Sequence, residues 1–510
     1  MERKNYTVAI DLGCSTVKVA VGERTPEGLL EVTSVVTKPV KEGVRAGLIE
    51  NIELVSQAIR TAVTETEEQL GIRITEAYAG ISGEFVRCAR HTDHVYVYDP
   101  QNGVNQKDVD ALFDRMRNVQ APDDETIMER VPQNYVVDDN QEVHNPVGSF
   151  GKKLSSTFNF ILCQKTPMQR LDMALKRLGI RMLGVVSDAM ATPGAVLLPD
   201  EKEEGAAVVN VGAGVTDVTV YYRNVIRYIA TIPMGASAIN SDIRTMSVPE
   251  KLVESLKLKY GSAVAELAPE DKLVRVNGRT PREAKDILLR NLATVIEARA
   301  TDIAEFVLQE IKDSGFADKL VYGIVLTGGS AKLKHLDELF RRVTGMDVRV
   351  ALPDVGITED SKTKVADPAL ATVVGILLHG AALGGCAVIE NPVVSKPQQT
   401  APNAPSAQQS APATSNPVRQ PGLRQPYTPT PPAPESFHHV PPRQPQPQPT
   451  PAAAPVTPES AEPAAVAPEE TPHEEKHQPE QRRKRDWGSI FQKTIDKINK
   501  SFSAAEDEEI

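Results

Sequence analysis

Two similar α/β halves facing each other across a cleft, followed by an unfolded tether and a short terminal helix, form the architecture that the sequence predicts. Three observations lead there. A meander of three short Val-, Ile- and Thr-rich runs at residues 6–12, 16–22 and 29–36 recurs at 206–211, 216–222 and 226–232, each time with a Gly-rich first turn. Helix-period segments alternate with further strands after each meander. Of the 39 prolines, 24 fall between residues 391 and 480, which confines the core to the first 390 residues.

The 510 residues leave room for two or three domains, and 40% apolar residues suffice for a core. A net charge of −11 argues against a general nucleic-acid binder, which needs a basic face for phosphates. Cys14, Cys88, Cys163 and Cys386 are far apart and form no Cys-x-x-Cys pair, so neither a disulfide framework nor a zinc site is expected, and a reducing cytoplasm fits. The first residues run directly into a strand pattern without an apolar leader, which predicts a chain that is not exported.

After the first meander, Ile52, Val55, Ile59, Ala62 and Val63 mark one face of an amphipathic helix. A strand then ends near Ile81-Ser-Gly. Between about 84 and 166 the pattern changes to strands around a single helix capped by Asn105, before helix and strand alternate again from 167 to 186. The second half continues with helices near 237–246 and 250–259, a long helix from about 282 to 312, and a strand at 321–327 running into Gly328-Gly329. Residues 369–389 carry no Asp, Glu, Lys or Arg and have the length of a membrane span, but four glycines and His379 dilute the stretch. A buried Ala/Gly-rich helix ending at Gly380 is the expectation.

Residues 391–480 are Pro, Ala, Gln, Ser and Thr with few large apolar side chains, a composition that cannot offset its ordering entropy. Beyond them stand Arg482, Arg483, Lys484 and Arg485, then Trp487, Ile490, Phe491, Ile495, Ile498 and Phe502. At about 100° per residue the apolar six fall in an arc of about 140°. Residues 482–502 hold seven Lys or Arg against two Asp, a net of +5 in an acidic chain. A basic amphipathic helix of this kind lies on an anionic membrane surface. Docking in a protein groove is the alternative, and the acidic end at 506–509 weakens attraction to anionic lipid.

Three glycine turns carry the chemistry. Asp11-Leu-Gly13-Cys-Ser15-Thr16-Val-Lys18 joins the first two strands, where backbone amides and hydroxyls can cradle phosphate and Asp11 can hold water around Mg2+. Asn210-Val-Gly212-Ala-Gly214-Val-Thr216-Asp217 occupies the same place in the second half. Thr327-Gly328-Gly329-Ser330 follows a strand, where a base and sugar can approach bare backbone. Each alone is a common turn; all three in this order on matching elements form a stronger signal.

These turns resemble the two phosphate motifs and the adenosine motif of the actin-like ATPase superfamily. Val131-Pro-Gln-Asn-Tyr-Val-Val-Asp138, His144-Asn-Pro-Val-Gly-Ser149, residues 180–191 and Ile324-Val-Leu-Thr-Gly-Gly-Ser-Ala331 are similar to the FtsA family of bacterial cell-division proteins. The resemblance covers about residues 5–385 and resumes at the C-terminus. It implies an actin-like (ribonuclease H-like) two-lobed fold. Residues 1–83 and 167–204 would form the first lobe (1A), 84–166 an inserted subdomain (1C), and 205–390 the second lobe with a smaller part at about 236–300 (2B). A linker at 391–480 and a membrane helix at 482–502 would follow.

By the same resemblance, Asp11, Gly13, Ser15, Thr16 and Lys18 would contact ATP phosphates and Mg2+, and Gly212, Gly214 and Thr216 would face them. Gly328, Gly329 and Ser330 would border the adenosine, with Glu297 and Arg299 as weaker candidates near the ribose. The sequence departs from the family at Asn210, where actin-like ATPases usually carry Asp, and at Ala213, where they carry Gly. An amide cannot supply the charge that holds Mg2+ and orients water, so slow or negligible hydrolysis is expected; Asn210 also suits plain turn closure.

Implied partners are the tail of FtsZ at 2B, further copies in a protofilament, the anionic membrane and later division proteins, at the cytoplasmic face of the inner membrane at the septum. Arg244, Lys251, Lys257 and Lys259 form a basic stretch that could receive an acidic tail, or simply a solvated face. A sugar or acetate kinase on the same scaffold would need a substrate base. A heat-shock-type chaperone would need a folded domain where the prolines stand. A pilus-assembly adaptor would leave 131–149 less well explained.

Overall fold

The computed structural model describes residues 6–277, 284–386 and 388–390. The predicted tether and terminal helix lie outside the described residues.

The chain opens as β1 (Tyr6–Leu12), β2 (Thr16–Arg24) and β3 (Leu30–Pro39). Strand β1 is buried on both faces from Thr7 to Asp11, as a central strand covered by helices must be. At the sheet edge β3 alternates instead, with Leu30, Val32, Ser34 and Val36 inward and Glu31, Thr33 and Thr37 outward. The hairpin β4 (Val44–Arg45) and β5 (Leu48–Ile49) precedes α1 (Ile52–Leu70). Asn51 caps α1 by accepting from the Glu53 and Leu54 amides, Gly71 closes it at φ 66°, and Val55, Ile59, Ala62 and Val63 form its buried face. β6 (Ile72–Ile74) and β7 (Glu76–Ile81) follow.

An inserted layer comes next: β8 (Val86–Tyr96), α2 (Gln106–Arg117), β9 (Glu125–Val137), β10 (Gln141–Val143) and β11 (Lys153–Gln164), with sheet order β10-β9-β11-β8. Asn105 and Asp108 form a reciprocal capping box at the start of α2. Leu112, Met116, Leu154 and Phe158 are buried beneath that helix, which gives the insert a core of its own. The chain returns through α3 (Lys165–Lys176), β12 (Arg181–Ser187), α4 (Asp188–Val196) and α5 (Pro199–Glu204).

The second half comprises β13 (Ala206–Val211), β14 (Thr216–Tyr222), β15 (Val225–Ile232), α6 (Ala236–Thr245) and α7 (Glu250–Tyr260). It continues with β16 (Leu273–Val276), β17 (Lys285–Leu288), α8 (Leu289–Asp313), β18 (Ile324–Thr327), α9 (Leu336–Thr344) and β19 (Val348–Val350). The long helix therefore starts at Leu289 and not near 282. Lys285–Leu288 pairs antiparallel with Leu273–Val276, and the Leu289 amide donates to Lys272 O, so extended pairing claims the segment that helix periodicity had suggested. Last come α10 (Glu359–Lys364), α11 (Ala371–Ala382) and β20 (Val388–Glu390), which pairs with β6.

The two principal sheets share one topology. Their orders are β3-β2-β1-β7-β12 and β15-β14-β13-β18-β19; in both, the first three strands form an antiparallel meander and the last two add in parallel. The repeated meander in the sequence is thus a repeat of the whole sheet. Helix α11 is the Ala/Gly-rich stretch, buried as expected. A Cβ on Gly375 would stand 2.2 Å from Ala191 O of α4, and one on Gly380 would stand 2.5 Å from the Tyr78 ring. Among the described residues no helix is long and apolar enough to cross a membrane.

The insert is joined to the second sheet by polar contacts. Asn159 Nδ2 donates to Arg227 O at 2.9 Å, and Gln133 Nε2 donates to Ile226 O at 3.0 Å. The fully buried guanidinium of Arg227 donates to Asn134 Oδ1, Gln133 Oε1 and Tyr222 O, and lies over the Tyr222 and Phe316 rings.

Candidate functional site

Each half contributes a turn of the same geometry. The Gly13 amide donates to Thr16 O at 3.0 Å, and the Gly212 amide donates to Val215 O at 2.9 Å. Antiparallel pairing places Asp11 opposite Lys18, and Lys18 Nζ donates to Asp11 Oδ2 at 2.6 Å with both side chains buried. Ser15 is exposed and Thr16 half-buried at the mouth of the turn. On the second turn Thr216 is fully buried and its hydroxyl donates to Met234 O, so it braces the turn from behind. Helix α6 starts against the same turn, with the Ala236 and Ser237 amides donating to the Gly212 and Ala213 carbonyls.

The third turn docks on the second. Gly328 sits at φ 91°, and a Cβ there would stand 2.4 Å from Asn210 Oδ1 and 2.6 Å from Val211 O, so only glycine fits. Ser330 Oγ donates to Gly212 O at 3.0 Å. Gly329 faces open space apart from a distant Ala369 Cβ. Asn210 Nδ2 donates to Thr372 Oγ1 at 3.0 Å, so its amide ties β13 to α11.

The two phosphate-type turns meet. A Cβ on Gly214 would stand 2.5 Å from Cys14 Sγ and 2.9 Å from Cys14 Cβ. The structure thus brings Asp11, Gly13, Ser15, Thr16, Lys18, Asn210, Gly212, Gly214, Gly328, Gly329 and Ser330 into one cleft. Glu297 and Arg299 are committed elsewhere. Glu297 Oε2 accepts from the Ala265 amide, while the buried Arg299 guanidinium pairs with Asp242 and Asp302 and holds α8 against α6.

Three acidic or hydroxyl groups that the sequence reading left unassigned complete the cleft. Asp217 Oδ1 accepts from Ser82 Oγ across the cleft at 2.6 Å and from Thr231 Oγ1 at 2.7 Å. Burial, with Asp11 adding repulsion against these hydrogen bonds, pushes its carboxyl up to about 6. Asp188, first residue of α4, is buried; burial, then Asp11 and Asp217, raises its carboxyl well above the usual range, and its Oδ1 has no hydrogen-bond partner. Asp217 stands inside the Thr216-Asp217 end of the second glycine turn. Asp188 carried only the weaker signal of an acidic residue at a strand-to-helix junction, and Ser82 carried none.

Orphaned Asp188 Oδ1 and facing glycine turns with no room for Cβ suit a polyphosphate with a hydrated cation. Among the described residues no group of three or more His, Cys, Asp or Glu is placed to hold a metal. A Mg2+ here would therefore draw most ligands from water and phosphate.

A family model described as "Cell division protein FtsA" matches residues 207–375, and one for the SHS2 domain inserted in FtsA matches 83–162. The cell division protein FtsA of Pseudomonas aeruginosa is 31% identical over 376 residues, covering 73% of this chain and 88% of the relative. That of Neisseria meningitidis is 30% identical over 383 residues, covering 74% and 91%. Among solved structures, the PilM-PilN type IV pilus biogenesis complex aligns with TM-score 0.50 and 13% identity over 73% of this chain and 98% of that chain, a likeness of fold alone.

Proposed function

The chain belongs to the FtsA family of cell-division proteins, and from that premise we propose that it is an ATP-binding, membrane-anchored adaptor. In this reading it self-associates into actin-like protofilaments and holds FtsZ through the region at about 236–300. Residues 482–502 bind anionic lipid at the cytoplasmic face of the inner membrane, and the assembly receives later division proteins at the septum.

The observation that carries the reading is the convergence of three glycine turns from matching elements on one cleft. Amides of the two turns other than those of Gly13 and Gly212, which donate within their own turns, would hold phosphates from opposite sides, Asp11 would act through water on Mg2+, and Gly328 to Ser330 would flank the base and sugar. Nucleotide with Mg2+ would supply the charge that draws the two halves together. Asn210, tied to Thr372, adds no charge to that cation, which supports binding with slow or negligible hydrolysis.

Titration of the full-length chain with Mg-ATP tests this. Saturable binding with phosphate release near background is expected. Absence of binding would overturn the nucleotide reading, and steady turnover abolished by Asp11→Ala would overturn slow hydrolysis.

A further inference from the structure

We propose that Arg45 contacts the terminal phosphate of a nucleoside triphosphate and so lets the cleft tell triphosphate from diphosphate; the inference rests on the nucleotide-binding reading above.

Arg45 ends β4 in a hairpin whose two-residue turn is Ala46-Gly47, both at positive φ (46° and 81°). Such turns need positive φ at both positions, where alanine is strained, and strain of this kind collects at functional sites. One hydrogen bond and two close approaches position the turn. The Gly47 amide donates to Cys14 Sγ at 3.3 Å, in the first phosphate turn. A Cβ on Gly47 would stand 1.8 Å from Ser82 O, at the end of β7. The Ala46 nitrogen lies 3.5 Å from where a Cβ on Gly214 would stand, in the second phosphate turn. The hairpin tip is therefore wedged where the two halves meet.

The contacts also order the cleft. Ser330 of the adenosine-type turn touches Gly212, whereas Gly214, two residues on, packs against Cys14 with the Ala46 nitrogen of the hairpin nearby. A nucleotide whose base lay at Gly328 and Gly329 would, along this order, direct its phosphates toward the hairpin that carries Ala46 and Arg45. A triphosphate reaches further along that line than a diphosphate.

Arg45 is available for this contact and Lys18 is not. The Lys18 ammonium is buried against Asp11 at 2.6 Å. The Arg45 side chain is 83% exposed and pairs at 3.2 Å with Glu50, itself half exposed. A surface pair of that kind contributes little and exchanges readily. A planar guanidinium fork suits phosphate oxygens better than a point charge does.

Competition titrations against a fluorescent nucleotide, on the full-length chain with Mg2+, give the ATP-to-ADP affinity ratio. Arg45→Ala is expected to weaken ATP roughly tenfold, the scale of one charge-assisted contact, and to leave ADP within about twofold of the parent. Arg45→Lys is expected to restore part of the ratio, and Lys41→Ala, which removes the same charge four residues away, to leave it unchanged. Equal loss for ATP and ADP in Arg45→Ala, or an unchanged ratio, would overturn the inference while the nucleotide reading stands. A parent chain that binds neither nucleotide would overturn both.

Discussion

Ser82, the residue after first-half strand β7, donates its hydroxyl to Asp217 of second-half strand β14 at 2.6 Å. One short hydrogen bond thus spans the cleft at the level of the phosphate turns. Ser82→Ala would leave the buried Asp217 carboxyl with Thr231 as its remaining hydroxyl donor. A loss of about 1–3 kcal/mol in urea unfolding is expected, the usual penalty for stripping a buried charged acceptor. Wild-type stability in this variant would show that the halves are joined elsewhere.

Asp217 also sets a pH dependence. Its folded-state carboxyl titrates near 6, raised by burial, against about 3.9 when unfolded. The folded form therefore holds the proton more tightly. The stability this gives is fully present below about pH 4 and is lost as pH rises through about 6. Asp217→Asn keeps Oδ1 as an acceptor and removes the titration. Its stability relative to wild type is expected to improve by about 2 kcal/mol between pH 4.5 and 7.5. A difference constant across that range contradicts the assignment.

Gly214 and Cys14 test the contact between the turns. Gly214→Ala places a methyl 2.5 Å from Cys14 Sγ, so the halves must part or the turns deform. ATP affinity is expected to fall at least about tenfold. Because the clash involves both Sγ and Cβ of Cys14, adding Cys14→Gly is expected to recover much of that loss. No loss in the single variant would mean that the turns need not meet for binding.

Arg227 holds the insert. Its guanidinium is 1% exposed and donates to Asn134, Gln133 and the Tyr222 carbonyl. Arg227→Met keeps the length of the side chain but orphans these acceptors, with an expected cost of about 2–4 kcal/mol. Limited proteolysis within 86–164 is expected to quicken, since the insert retains its own core while its docking weakens. Unchanged melting and cleavage would show that docking lies in other contacts.

Trp487 lies outside the described residues and tests the membrane reading directly. Flotation of the full-length chain with anionic liposomes is expected, and Trp487→Glu is expected to stay at the bottom of the gradient. Equal flotation of both would remove residues 482–502 as the anchor.

The sheets and their turns were legible because their determinants are local. Gly13, Gly212 and Gly328 stand at strand ends where the backbone must bend, and burial on both faces makes β1 and β13 read as continuous apolar runs. Asn105 and the buried face of α1 were likewise written in a few consecutive residues. What the sequence hid is tertiary. Ser82 and Asp188 enter the cleft because β7 and β12 lie side by side beneath it, a pairing between segments about a hundred residues apart. Hairpin 44–49 matters through what its glycine touches, not through any motif. Arg299, which only the family resemblance put near the ribose, pairs with Asp242 and Asp302, the first of them on another helix that no local pattern links to it.

Co-pelleting of FtsZ with anionic liposomes tests the central claim most directly, comparing the full chain with one lacking residues 482–510. FtsZ is expected in the liposome pellet with the full chain and in the supernatant with the truncated one. FtsZ left in the supernatant with the full chain would contradict the adaptor account.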